Sequence, residues 1–243
     1  MRIELQPAFV LHRRPYRNTS LLVDVLSRDY GRISMVARGA SGPRSRLKAL
    51  VQPFLPLLLS WSGRGELSNL TTVEQTGSAI RIPAKRMLSG FYINELLLRL
   101  LHPHDPYPLF DGYHKTLQDL AEAEHEEPVL RIFEKHLLAE LGYGLLLDSE
   151  APSNNPIEST KKYRYILEQG PTAVESSGTG IMLSGKALLA LHRESFDDSV
   201  VLREVKRLTR AALDLRLQGR PLKTRALLIA DYQRRHGKTS HGV

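Results

Sequence analysis

Arg32-Ile33-Ser34-Met35-Val36-Ala37-Arg38 is the stretch whose reading decides the fold. Its side chains divide with a two-residue period, Ile33, Met35 and Ala37 on one side and Arg32, Ser34, Val36 and Arg38 on the other, which is the mark of a strand with one buried face. Two arginines therefore share the second face. Working outward, the same grain recurs at residues 8–13 and 21–26 before it and at 51–61 and 67–74 after it, with Pro53 and Pro56 bending the fourth segment or placing it at an edge. Asp29-Tyr30-Gly31 and Ser62-Gly63-Arg64-Gly65 supply hairpin turns. Residues 39–45 form the one long linker. Five short antiparallel strands in about 75 residues predict a small closed barrel of the OB type, which leaves no bare sheet edge, and an SH3-like barrel fits the same strand count.

Beyond Ile82-Pro83 the period changes to that of helices. Residues 84–102 are apolar on almost every side, as in a helix at a domain centre, and the loop His102-Pro103-His104-Asp105-Pro106-Tyr107-Pro108 stops them. Helices are predicted at 109–123 and 128–141, the second closed by Gly142 and Gly144. Residues 148–183 interrupt the helical pattern with Pro152, Pro156 and several glycines, and segments 163–167 and 172–175 read as a hairpin across Gln169-Gly170. Helices resume at Ser184, run from the Asp197-Asp198-Ser199 cap to Gln218, and end with 222–235. The reading is an α+β chain: a barrel domain over 1–80 and a helical domain over 81–243, with a hairpin insertion at 148–183 and a flexible tail at 237–243.

The chain has 243 residues, 42% of them hydrophobic, enough for a proper core. It has no cysteine, which excludes disulfides, cysteine zinc sites and thiol catalysis. No apolar run approaches membrane-spanning length, and the start Met1-Arg2-Ile3-Glu4-Leu5-Gln6-Pro7 lacks the long apolar core of a secretory peptide, so a cytoplasmic, membrane-free location is expected. The net charge of +8 is uneven: residues 1–80 hold 11 Lys/Arg against 5 Asp/Glu, residues 81–202 hold 12 against 18, and residues 203–243 hold 11 against 3. Two basic blocks around an acidic middle suit a protein that grips phosphates with chosen surfaces.

Catalytic patterns fail one by one. Gly180-Ile181-Met182-Leu183-Ser184-Gly185-Lys186-Ala187 has P-loop spacing until Ala187 stands where a Ser/Thr must hold magnesium, and three bulky apolar residues fill its interior. A strand followed by Ser184 capping a helix explains it better. His102, His104 and Asp105 cluster in a proline-rich loop without fixed ligand geometry. Glu122, Glu124, Glu126 and Glu127 form an exposed acidic run with no apolar neighbours to raise a pKa. No Gly-x-Ser-x-Gly elbow occurs. A binding protein without metal or cofactor is the expectation.

From Tyr30 to Gly65 there is not one acid, while Arg32, Arg38, Arg44, Arg46, Lys48 and Arg64 supply six positive charges. With Arg13 on the first strand, these are the candidate phosphate contacts, and Tyr16, Tyr30 or Trp61 is either a base-stacking platform or core. In the second basic block Arg203, Lys206, Arg207 and Arg210 share one side of a helix. Arg207 and Arg210 are candidates to extend the DNA path, a solvated helix face being the other reading. Lys223 and Arg225 fit a structural role equally well.

Val36-Ala37-Arg38-Gly39-Ala40, Pro43-Arg44-Ser45-Arg46-Leu47, Gln52-Pro53-Phe54 and Gly63-Arg64-Gly65-Glu66-Leu67 resemble the N-terminal barrel of the bacterial RecO family. Tyr92-Ile93-Asn94-Glu95-Leu96-Leu97, Arg131-Ile132-Phe133-Glu134 with Leu141-Gly142-Tyr143, and Gly219-Arg220-Pro221-Leu222-Lys223-Thr224-Arg225 resemble its helical domain. Together, and in this order, they cover about residues 8–228. The resemblance implies a non-enzymatic recombination mediator in DNA repair that binds single- and double-stranded DNA, anneals complementary strands, and works in the nucleoid with RecR and single-stranded DNA-binding protein to help load RecA. It also implies docking of that partner's acidic, phenylalanine-ended tail on the helical domain, where Arg131 and Lys135 are the candidates to meet its carboxylates and Phe133, Leu137, Leu138 and Tyr143 to form an apolar slot. Leu137 and Leu138 satisfy a core reading equally. Many relatives carry four zinc-binding cysteines in the region matching 148–183, so here the insertion is expected to hold itself without metal. The rival is an RNA-associated OB-fold protein, since phosphate contacts and stacking do not choose the sugar.

Overall fold

The computed structural model describes residues 2–42, 44–63, 65, 67–174 and 179–236. The chain divides into two compact units, residues 1–122 with 222–243, and residues 123–221.

Five strands of the first unit close into a barrel in the order β1-β2-β3-β5-β4: β1 (Arg2–Tyr16), β2 (Ser20–Ser27), β3 (Gly31–Ala37), β4 (Leu57–Ser62) and β5 (Ser68–Gln75). The expected alternation along β3 holds, with Ile33, Met35 and Ala37 buried in a core shared with Ala8, Val10, Val23, Val25, Leu57 and Leu59. Two expectations need correction. The barrel is not wholly antiparallel, because β3 and β5 pair in parallel through Met35↔Ser68 and Val36↔Asn69. Residues 51–56 are not strand: Phe54 adopts a φ of 66° between two prolines, which breaks the extended run. A short helix, α1 (Arg46–Leu50), follows the linker, capped by Ser45, whose hydroxyl accepts from the Lys48 N–H at 3.4 Å. Five residues are too few to show helical periodicity in a sequence.

Three helices complete this unit: α2 (Met87–Leu100), α3 (Phe110–Glu122) and α7 (Lys223–His236). Gly90 lets α2 approach the core, since a Cβ there would stand 2.9 Å from Phe54 and 3.0 Å from Ile82. Asn94 of α2 donates to the Leu11 carbonyl at 2.9 Å and accepts from the Tyr113 hydroxyl at 2.8 Å, so one buried amide ties strand, α2 and α3 together. Next to it, Glu95 accepts from the Lys223 and Thr224 N–H groups at 3.0 and 2.8 Å and from the Thr224 hydroxyl at 2.6 Å. The two sequence motifs around residues 92–97 and 219–225 thus meet as a carboxylate capping α7. Partial burial pushes the Glu95 carboxyl up, but these bonds and nearby Arg99 outweigh it and hold it below its ordinary value.

The second unit contains α4 (Glu126–Glu140), the strands β6 (Lys162–Ile166), β7 (Gly170–Ala173) and β8 (Ile181–Ser184), then α5 (Gly185–Arg193) and α6 (Ser199–Leu217). The expected hairpin is the β6–β7 half of a three-stranded sheet ordered β7-β6-β8. Residue 175, where the second hairpin segment was expected to end, and the tail 237–243 lie outside the described residues. The sheet is clamped by apolar packing of Tyr163, Tyr165, Leu183, Leu188, Leu191 and Val205. The Tyr163 hydroxyl accepts from the Glu158 N–H at 2.9 Å, and Glu204 accepts from the Ser184 N–H at 2.7 Å. The P-loop-like spacing resolves into β8, a cap and α5, with the Ser184 hydroxyl accepting from the Ala187 N–H at 3.1 Å. Among the described residues no helix is long and apolar enough to cross a membrane.

Candidate nucleic-acid interface

The β1–β2 turn, Arg17-Asn18-Thr19, faces the end of β3 and the start of β5 across an open groove of about 620 Å³. Tyr16, Arg17, Asn18, Arg38 and Asn69 supply its working surface, over an apolar floor that includes Val36 and Leu67. Arg17 turns at a φ of 53° and holds its guanidinium 5.2 Å from the centre of the Tyr16 ring. The Ser41 N–H and hydroxyl donate to the Thr19 and Asn18 carbonyls at 3.0 and 3.2 Å, which binds the linker after Arg38 to the groove wall. Arg38, Arg44 and Arg46 are exposed, and among the described residues none has an ion-pair or hydrogen-bond partner. Cations, an aromatic ring and carboxamides along one groove can take phosphates, a base face and base edges.

Other candidates of the barrel have different posts. Arg13 donates to the Lys48 and Val51 carbonyls at 2.7 and 3.2 Å, stapling β1 to α1, and Arg32 donates to the Leu101 carbonyl at 3.1 Å. Lys48 is exposed on α1. Arg64 lies outside the described residues. Tyr30 and Trp61 form a T-shaped pair, centroids 5.4 Å apart, against the barrel core, so Tyr16 is the aromatic of the three that lines the groove. Sequence reasoning missed Arg17, Asn18 and Asn69; the Arg-Asn-Thr break before the apolar run of β2 was the signal for the first two.

A Ser–Asp–His juxtaposition on three adjacent strands is wired against catalysis. Ser34 donates to Asp24 at 2.5 Å, and Asp24 in turn faces His12 at 3.8 Å, so the hydroxyl gives its hydrogen bond to the carboxylate and not to the imidazole that would have to deprotonate it. No group of three or more His, Asp or Glu side chains among the described residues converges as a metal set.

In the second unit Arg207 is exposed and donates to the Met182 carbonyl at 2.8 Å, while Arg210 is half-buried. Lys206 is paired with Glu127. Of the tail-docking candidates, Arg131 and Glu134 form a buried ion pair at 2.8 Å, and Phe133, Leu137 and Leu138 are also buried. Lys135 meets Glu194 at 2.7 Å and the His192 carbonyl at 3.0 Å. Partial burial raises the Glu194 carboxyl, but Lys135 and His136 more than offset this and hold it below its usual range. Leu138 and Tyr143 do come together, lining a cavity of about 170 Å³ with Leu146, Leu167, Leu215 and Arg216. Arg216, another omission, sets its guanidinium 3.8 Å from the Tyr143 ring centre and pairs with Glu168.

Two family models match the chain, recombination protein O N terminal over residues 1–79 and recombination protein O C terminal over residues 84–226. It is 46% identical over 229 residues to the DNA repair protein RecO of Coxiella burnetii strain CbuG_Q212, covering 94% of this chain and 99% of the relative. The DNA repair protein RecO of Nitrosococcus oceani is 46% identical over 230 residues, 94% of either chain. That of Aromatoleum aromaticum is 41% identical over 229 residues, 93% of this chain and 95% of the relative.

Proposed function

The chain belongs to the recombination protein O (RecO) family of DNA repair proteins, and we propose that it acts as a DNA-binding recombination mediator that makes and breaks no covalent bond. The observation that carries this reading is the groove between the β1–β2 turn and the start of β5, where Arg17, Arg38 and Tyr16 stand together, with Arg44 and Arg46, which have no partner among the described residues, following in sequence. OB barrels bind oligonucleotides at this end, through the loops after the first and fourth strands. Single strands run through the groove with bases against Tyr16. Lys48, Arg207 and Arg210 contribute outside it, Arg64 is a further candidate contact, and Arg13 and Arg32 act by holding the barrel's outer contacts. Duplex binding, annealing, and loading of RecA with RecR on strands coated by single-stranded DNA-binding protein are carried over from the family likeness, as is a place in the nucleoid.

The partner's acidic tail docks in the second unit at the cavity beside Tyr143, with Leu138 on its wall and Arg216 rather than buried Arg131 as the cation. Phe133 and Leu137 support that wall from inside.

Single-strand affinity should fall with salt at a log–log slope near −4 for about five or six phosphate contacts, and Arg38→Ala, Arg44→Ala, Arg46→Ala together should flatten it by roughly 2. Annealing of complementary strands should persist without nucleotide or divalent metal. An unchanged slope moves the site off this groove, and an absolute need for ATP ends the non-enzymatic reading. A matched RNA strand that outcompetes DNA would favour the RNA-binding alternative.

A further inference from the structure

We propose that Glu168 is a built-in competitor at the Tyr143 cavity: its carboxylate sits on Arg216 in the seat that an incoming carboxylate must take. The inference rests on the tail-docking reading above and adds a limit on that docking. The cavity presents Leu138, Leu146, Leu167 and Leu215 to an apolar group and Arg216 to an anion, so its chemistry suits a peptide end that carries a bulky apolar side chain beside a carboxylate. Arg216 stands at its rim, 3.8 Å from the centre of the exposed Tyr143 ring.

Glu168 already shows what that guanidinium accepts. It comes from the β6–β7 turn, is exposed to solvent, lines the cavity itself, and bonds Arg216 there. Its backbone lies at a φ of 67°, a left-handed conformation that glycine or asparagine adopts with less strain. Gly170, two residues on, takes the other left-handed position of the same turn at a φ of 118°. A turn that could have used a second glycine thus holds a carboxylate against the cavity's cation. An ion pair whose carboxylate stays in solvent while its guanidinium is largely covered is weakened by screening on one side only, and it is displaceable by a better ligand: one that brings its own carboxylate and also buries an apolar side chain wins, whereas a bare anion gains nothing by the exchange.

The test uses the full-length protein and a fluorescein-labelled short peptide with two aspartates and a free C-terminal phenylalanine, alongside the same peptide ending in an amide. Glu168→Gln keeps the size of the side chain and the turn but removes the charge. It should tighten binding of the free-acid peptide about two- to fivefold, the range of a partly exposed ion pair, and the amide peptide by less. A gain in affinity cannot come from misfolding. Equal affinity of wild type and Glu168→Gln for the free-acid peptide overturns the latch and leaves the docking reading standing. Absence of binding to both proteins overturns the docking reading, and the latch with it.

Discussion

The arginines of the barrel's linker and the cations of the second unit carry the same charge and have opposite surroundings. Arg38, Arg44 and Arg46 come from a stretch with no acid between Tyr30 and Gly65, and they reach solvent without partners among the described residues. Arg131, Lys135, Lys206 and Arg216 are matched to Glu134, Glu194, Glu127 and Glu168. The acidic middle of the chain folds back on its own unit's cations. Net charge by segment therefore reports a phosphate-binding surface only where the neighbouring segments supply no carboxylates, and the +8 of residues 203–243 overstates what that block offers to a polyanion.

The sharpest break of this contrast is to unmatch a buried pair. Glu134→Ala leaves Arg131, 2% exposed, charged and uncompensated inside the second unit, and should lower unfolding free energy by about 3–5 kcal/mol in urea titration. Single-strand affinity of the remaining folded protein should be unchanged, because the groove lies in the other unit. A loss of affinity in step with the loss of stability would show that the barrel site needs the second unit intact.

A smaller effect separates two of the carboxylates held below their ordinary value, Glu95 and Glu194. Glu95 and Glu194 both have depressed folded pKa values, so each contributes stability that is present above about pH 4.5 and is lost as pH falls through the folded value. Glu95, less exposed and capping α7 with three accepted bonds, should contribute more. Glu95→Gln should cost about 1–2 kcal/mol at neutral pH, and that deficit should shrink below pH 4.5. Glu194→Gln should follow the same curve with a smaller deficit. A deficit for Glu95→Gln that stays constant between pH 7 and pH 3 would mean that shape rather than charge caps the helix.

Strand alternation made the barrel legible, because Ile33, Met35 and Ala37 obey a local period that burial enforces. The acid-free linker made its charge legible too. What escaped was set by contacts between distant residues. Arg13 and Arg32 look like their neighbours in sequence, yet Arg13 gives one guanidinium nitrogen to the carbonyls of Lys48 and Val51 and Arg32 gives one to Leu101. Arg17 sits in a turn whose place opposite Asn69 depends on the parallel closure of β3 and β5, and no periodicity announces that pairing. In the second unit Arg131 is a candidate contact for an incoming carboxylate by its charge, whereas Glu134 neutralises that charge in the interior. Spacing of three along a helix makes such internal pairing as natural as an exposed face.

The same logic sets the smallest effect, and the most direct check of the contrast. Lys206 and Arg38 each add one positive charge to the sequence, but Glu127 already neutralises Lys206. Lys206→Ala should change stability by no more than about 0.5 kcal/mol, as partly exposed ion pairs do, and should leave the salt slope of single-strand binding where it is. Arg38→Ala should leave stability alone and flatten that slope by about 0.7, the share of one phosphate contact on a single strand. Equal flattening by the two substitutions would mean that DNA draws Lys206 away from Glu127. The polyanion would then compete with the protein's own carboxylates, and the pairing seen in the second unit would describe only the DNA-free chain.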